Sequence, residues 1–160
     1  MDSILPTIII RHRRENLKKC SLRGLETRPD FQFFSYPDTL LRYPALSKYV
    51  LLDISGEPLS ERDRECGLIL LDATWRLAEK MKRQLVCLDG VPKRSIPVGF
   101  VTAYPRRQAD CPNPDAGLSS LEALFIAFRL MGKKANFLLE NYYWKRQFFE
   151  KNNMTEIDES

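Results

Sequence analysis

Two patterns of hydrophobic and polar positions take turns along this chain. Short apolar runs bounded by Pro, Gly or charged residues predict strands over residues 4–11, 30–36, 49–54, 67–71 and 95–103. The fourth, Gly67-Leu68-Ile69-Leu70-Leu71, is almost continuously apolar, as a strand covered on both faces must be. Between strands the period lengthens. Leu77, Ala78, Met81 and Leu85 share one face of a helix that begins just beyond Asp72-Ala73-Thr74-Trp75. Residues 118–131 predict a mostly buried helix. Residues 133–151 predict a second, amphipathic one with Phe137, Tyr143, Trp144 and Phe148. Shorter helices are expected over 39–47 and from Ser60, where Asp63 completes a cap. The polar tail from Asn152 is expected to fray.

Strands alternating with helices specify an α/β fold with a largely parallel sheet, in which ligands sit beyond the carboxyl ends of strands. Two segments become candidate site loops. One is the turn Asp72–Trp75. The other spans 104–117, with three prolines, and structureless loops of about a dozen residues or more are uncommon without a function.

Composition then narrows the class. At 160 residues, 44% apolar and 11% aromatic, the chain suits one compact domain or two small lobes sharing a core. No apolar run reaches the roughly 20 residues that cross a bilayer, and the opening Ile4-Leu5-Pro6-Thr7-Ile8-Ile9-Ile10 reads as a first strand, not a signal peptide. Net charge is only +4, but its distribution is uneven. Arg11, Arg13, Arg14, Lys18, Lys19, Arg23 and Arg28 crowd one early segment, against Glu15 and Glu26 alone. Arg106-Arg107 and Lys145-Arg146 lie near aromatic residues. Such clusters are often solvated faces, yet backbone charge with rings for unpaired bases suits a nucleic acid. The cysteines at 20, 66, 87 and 111 form no C-x-x-C pair, and with His12 the single histidine a Cys/His zinc cluster is not expected. Reduced thiols and a cytoplasmic setting are expected. No P-loop, dinucleotide glycine fingerprint or G-x-S-x-G elbow is present, which removes common kinase, dehydrogenase and hydrolase designs.

Two constellations could carry chemistry. Asp72 and Trp75 stand where a strand turns into a helix. Either Asp72 or Thr74 caps that helix and Trp75 anchors the core, or a carboxylate and an indole face await a cationic or adenine-bearing ligand. Ser119-Ser120-Leu121-Glu122 has the form of a capping box, which explains Glu122 without catalysis.

At Leu71-Asp72-Ala73-Thr74-Trp75 the chain resembles the DTW-domain proteins, named for a D-x-T-W turn. Over residues 17–152 it is more similar to their relatives, the small-subunit ribosomal RNA aminocarboxypropyltransferases. Lys18-Lys19-Cys20-Ser21 resembles their K-K-C-[ST] element. Leu52-Asp53, Leu59-Ser60 and Asp63-Arg64 are similar to an L-D-P…L-S-P-x-D-R stretch, with Ile54 in place of the first proline. Ile96-Pro97 through Ala103-Tyr104-Pro105 resembles L-P…A-N-P, with Tyr104 for asparagine. Leu118–Ala123 matches L-S-x-x-E-A, and Trp144, Phe148 and Asn152 resemble an F-x-W…F…N ending.

The resemblance implies an α/β, SPOUT-like knotted fold with a mostly parallel sheet and flanking helices, preceded by a small N-terminal α/β lobe. It divides the chain into that lobe at 1–55, a cofactor-binding domain at 56–152 and a polar tail at 153–160. It implies S-adenosylmethionine as cofactor and transfer of its 3-amino-3-carboxypropyl group to a uridine or pseudouridine of ribosomal RNA, leaving methylthioadenosine. Alternatives are a SPOUT-type RNA methyltransferase, a tRNA uridine aminocarboxypropyltransferase and a non-catalytic RNA-binding ribosome-assembly factor. Carried over by position, Trp75 and Ala78 would enclose the methyl group, Leu52, Leu71, Phe100 and Leu118 would hold adenine and ribose, and Ser21 would meet the amino-acid end. Asp72 and Glu122 would be the catalytic residues, Asp72 positioning the nucleophile or taking its proton. Arg11, Arg13, Arg14, Lys18, Lys19, Arg106, Arg107, Lys145 and Arg146 would face RNA. No metal or membrane is implied, and the chain is expected to be a monomer.

Overall fold

The computed structural model describes residues 5–12, 21–36, 46–104 and 117–159. Five strands, β1 (Thr7–His12), β2 (Phe31–Tyr36), β3 (Tyr49–Pro58), β4 (Gly67–Asp72) and β5 (Lys93–Ser95), form one sheet in the order β2-β1-β4-β3-β5. Every pairing is parallel. β1 and β4 occupy the middle and are buried along their whole length, which accounts for their unbroken apolar runs. The sheet takes strands from both sides of residue 55, and β3 itself crosses that position.

Strand alternation sends neighbouring side chains to opposite faces. Ile8, Ile10, Leu51, Ile69 and Leu71 pack with Met81, Leu88 and Val91 on one side. Helix α1 (Trp75–Gln84) covers that side, Ala78 and Leu85 completing its apolar stripe. Ile9, Val50, Leu68 and Leu70 face the other way, onto Leu124, Phe125, Phe128, Leu138 and Phe148. These belong to α2 (Ser120–Leu130), α3 (Asn136–Leu139) and α4 (Lys145–Lys151). Each such side chain, fully buried, contributes about 1.5–3 kcal/mol. Both expected caps form, Ser60 with Asp63 and Ser119 with Glu122. Thr74 caps α1 by accepting from Leu77 N–H at 3.4 Å. The helix expected over 39–47 falls mostly outside the described residues.

Three expectations are corrected. The strand over 95–103 ends at Ser95, because Pro97 lacks an N–H and Gly99 turns the chain with φ +115°. The helix over 133–151 is two short helices. Asn141, Tyr142 and Tyr143 are weak helix formers, and the break lets Tyr142 reach a buried partner on α2. The tail is not frayed. The Glu159 carboxylate accepts from the N–H groups of Ala135 and Asn136 at 2.7 and 3.0 Å, capping α3 from a distance. Thr155 O accepts from Arg129, and Ile157 O from Asn136. Glu159→Ala should therefore cost about 1 kcal/mol, read as a lower midpoint in urea. An unchanged midpoint would return the tail to a loose end.

Candidate functional site at the N-terminus of α2

Beyond the carboxyl end of β4, five chain segments meet at the first turn of α2. Parallel register sets Arg11 directly beside Asp72. Arg11 Nε donates to Asp72 Oδ2 at 3.1 Å, its NH1 donates to Glu26 at 3.3 Å, and its guanidinium lies 4.7 Å from the centre of the Phe33 ring. Ser120 Oγ donates to Asp72 Oδ1 at 2.7 Å. Asp72 is 1% exposed, so both carboxylate oxygens are engaged inside the protein. Ser21 Oγ accepts from Leu121 N–H at 3.1 Å, satisfying one of the amide groups that a helix start leaves open.

Glu122 is wholly buried. Its Oε1 accepts from Ser119 N–H at 2.8 Å and from the Thr102 hydroxyl at 2.6 Å. Its Oε2 accepts from Ala103 N–H at 2.9 Å and from the Tyr142 hydroxyl at 3.1 Å. Four donors around one carboxylate make Glu122 an internal anchor, a larger role than the helix cap that its spacing suggests. Burial pushes the Tyr142 phenol upward, and the Glu122 charge pushes it further.

The other expected cofactor residues divide between the two faces of the sheet. Leu71 and Ala78 belong to the α1 side. Leu52, Phe100 and Leu118 are partly buried against the α2 side. Trp75 is the first residue of α1, and its side chain lies outside what is described.

Arg11 lies differently from the other described residues of the basic clusters. Expected on an RNA-facing cluster, it is 8% exposed and committed to Asp72 and Glu26. The signal was present in the sequence, since an arginine in register with Ile9 on a buried strand needs an internal partner. Lys145 pairs with Glu156, and exposed Arg146 pairs with Glu150 at 3.2 Å. Surface pairs of that kind are worth little and yield readily to phosphate. Arg13, Arg14, Lys18, Lys19, Arg106 and Arg107 lie outside the described residues. Sequence reasoning missed Thr102 and Tyr142, whose importance depends on a partner about 20 residues away.

A solved structure shares this fold. It is the SAM-dependent rRNA:acp-transferase Tsr3 from Vulcanisaeta distributa, which superposes with a TM-score of 0.66 over 93% of this chain and 79% of the other, at 23% identity. No family model matches the sequence, and no curated protein matches it. No helix among the described residues is long and apolar enough to cross a membrane.

Two predictions follow from the geometry. Glu122→Gln presents an amide N–H₂ to groups that are themselves donors, so it should destabilise the protein by about 1–3 kcal/mol. Denaturation within 0.5 kcal/mol of wild type would reduce Glu122 to a cap. Tyr142 has its folded pKa raised, so its contribution is complete below the unfolded value of about 10 and declines as pH rises above it. Wild type should lose more stability than Tyr142→Phe between pH 9 and pH 11, on the order of 1 kcal/mol. Parallel curves would exclude the buried phenol as the cause.

Proposed function

We propose that this protein is an RNA-modifying transferase that uses S-adenosylmethionine to place a 3-amino-3-carboxypropyl group on a uridine or pseudouridine of ribosomal RNA, on a SPOUT-like knotted scaffold. The observation that carries this reading is the convergence at one helix start. Ser21, Asp72, Leu118 and Glu122, scattered over about a hundred residues and each within a motif resembling the aminocarboxypropyltransferases, meet at or beside the first turn of α2. The shared fold with an rRNA:acp-transferase supports the same reading.

The residues fit the group. Leu52, Phe100 and Leu118 keep part of their surface open on the α2 side of the sheet, apolar surface of the kind that suits an adenosine moiety. When bound, S-adenosylmethionine supplies a sulfonium whose aminocarboxypropyl carbon is open to attack, with methylthioadenosine as leaving group. Three carbons on that sulfur are electrophilic, so the product depends on which one the walls present to the base. In such a displacement a uracil imide nitrogen would lose its proton to solvent, its bond to that carbon replacing the carbon–sulfur bond. Asp72, with one oxygen on Arg11 and the other on Ser120, holds the end of β4 against α2. That arrangement favours a positioning role over a proton-accepting one. Glu122 does the same for residues 102–103. Lys145 and Arg146 remain available to backbone phosphate, whereas Arg11 does not.

The test is incubation of the purified protein with S-adenosylmethionine and small-subunit ribosomal RNA, followed by mass spectrometry of nucleosides and small-molecule products. Methylthioadenosine together with an aminocarboxypropyl nucleoside is expected. S-adenosylhomocysteine instead would make this a methyltransferase. RNA binding without either product would make it a non-catalytic RNA-binding factor.

A further inference from the structure

The segment that follows β5 has left the sheet, yet its backbone is held in place by side chains. Ala103 N–H donates to Glu122, Tyr104 N–H to the Thr102 hydroxyl at 3.0 Å, and Lys151 Nζ approaches Thr102 O at 3.5 Å. Val101 is met at both of its polar groups by one residue. Its N–H donates to Asn152 Oδ1 at 2.7 Å, and its carbonyl accepts from Asn152 Nδ2 at 2.8 Å. The second Nδ2 hydrogen goes to Phe148 O, also at 2.8 Å. The amide of Asn152 thus pairs with Val101 as a neighbouring strand would, while tying that pair to the last turn of α4.

The position is prepared on both sides. Asn152 caps α4, its own N–H returning to Phe148 O and Phe149 O, and Asn153 then takes the left-handed conformation at φ 53° that ends the helix. Phe148, one turn back, is fully buried, so the cap is fixed to the core. Across the gap, Val101 is bracketed by Phe100 and Ala103, both partly buried against the same core. No other side chain could make this contact by charge alone. It requires one acceptor and two donors on a planar group, which an aspartate cannot supply.

We propose that Asn152 is a positioning residue for residues 100–104, the segment that carries Phe100 of the proposed S-adenosylmethionine site, setting where that segment lies against α4 and α2. The inference rests on the function proposed above. It assigns Asn152 a role through Val101 and not through contact with the reacting atoms.

Asn152→Asp is nearly isosteric and retains the acceptor for Val101 N–H, but turns a carboxylate oxygen toward the carbonyls of Val101 and Phe148. Three readouts are needed: S-adenosylmethionine affinity by calorimetry, amide hydrogen exchange and melting temperature. The variant should bind S-adenosylmethionine at least tenfold more weakly at pH 8. Part of that loss should return at pH 5, because a carboxyl facing carbonyl oxygens protonates readily and regains one donor. Exchange should quicken at Val101 and Ala103, with β1, β4 and the centre of α2 unchanged. Asn152→Ala should show the affinity loss without the pH recovery, and serves alone if the aspartate variant does not fold. Unchanged exchange at Val101 in a folded variant overturns the inference. So does unchanged affinity in a wild type that binds. A wild type that does not bind S-adenosylmethionine fails the function reading instead, and exchange still decides whether Asn152 holds the segment.

Discussion

The carboxylate of Glu122 is the constraint around which this half of the molecule is arranged. A charge without solvent is tolerated only when donors surround it, since an unpaired buried ion costs several kcal/mol. Here the donors come from the helix's own cap, from two consecutive residues past β5 and from the turn between α3 and α4. None of these segments is regular at the point of contact. Each departs from strand or helix there, which lets its donor reach Glu122. Satisfying one buried anion therefore fixes three pieces of backbone relative to α2. Removing the charge would leave Thr102, Ala103 and Tyr142 with donors and nowhere to direct them.

Asp72 repeats that logic one layer towards the sheet. β1 and β4 are central strands, where a charged side chain survives only if its neighbour in the ladder neutralises it, and Arg11 is that neighbour. Ser120 then joins the pair to α2. Two buried carboxylates thus lie at the start of one eleven-residue helix, where the open amide groups and the helix dipole favour negative charge. The sheet and the helix layer are consequently locked together at the carboxyl edge, where α/β proteins place their ligands.

Those two anchors explain what the sequence did and did not disclose. Ile8-Ile9-Ile10, Gly67–Leu71 and the stripe Leu77, Ala78, Met81, Leu85 announce their structures because burial on both faces, or on one helical face, leaves a period in the residues themselves. Ser119 and Glu122 are legible as a capping box because that contact spans three residues. Residues 95–103 look like a strand, since Val98, Phe100 and Val101 are apolar, yet beyond Ser95 their backbone is held by Glu122, Asn152 and Lys151 from far along the chain. Residues 133–151 look like one helix because their apolar spacing is nearly continuous, while the break at the weak helix formers 141–143 is used by the distant partner of Tyr142. The tail reads as polar and loose, although Glu159 supplies the acceptor that α3 cannot supply for itself. Local pattern decides an element when its partners are local. Here the site is built from the exceptions.

A backbone segment held this way has properties that a strand lacks. In a ladder the backbone N–H and C=O groups facing the neighbouring strand are used by it, and few are left to read a ligand there. When side chains hold the backbone at chosen points, other groups of the same segment stay open to a bound molecule while the segment itself cannot drift. The transfer proposed above, from a sulfonium bearing three electrophilic carbons, asks for such a segment, because its outcome depends on position and not on the strength of any one catalytic group. In that reading the buried carboxylates contribute by tying β4 and residues 102–103 to the start of α2. That division of labour accounts for two anions at the proposed site whose hydrogen bonds run inward to the protein.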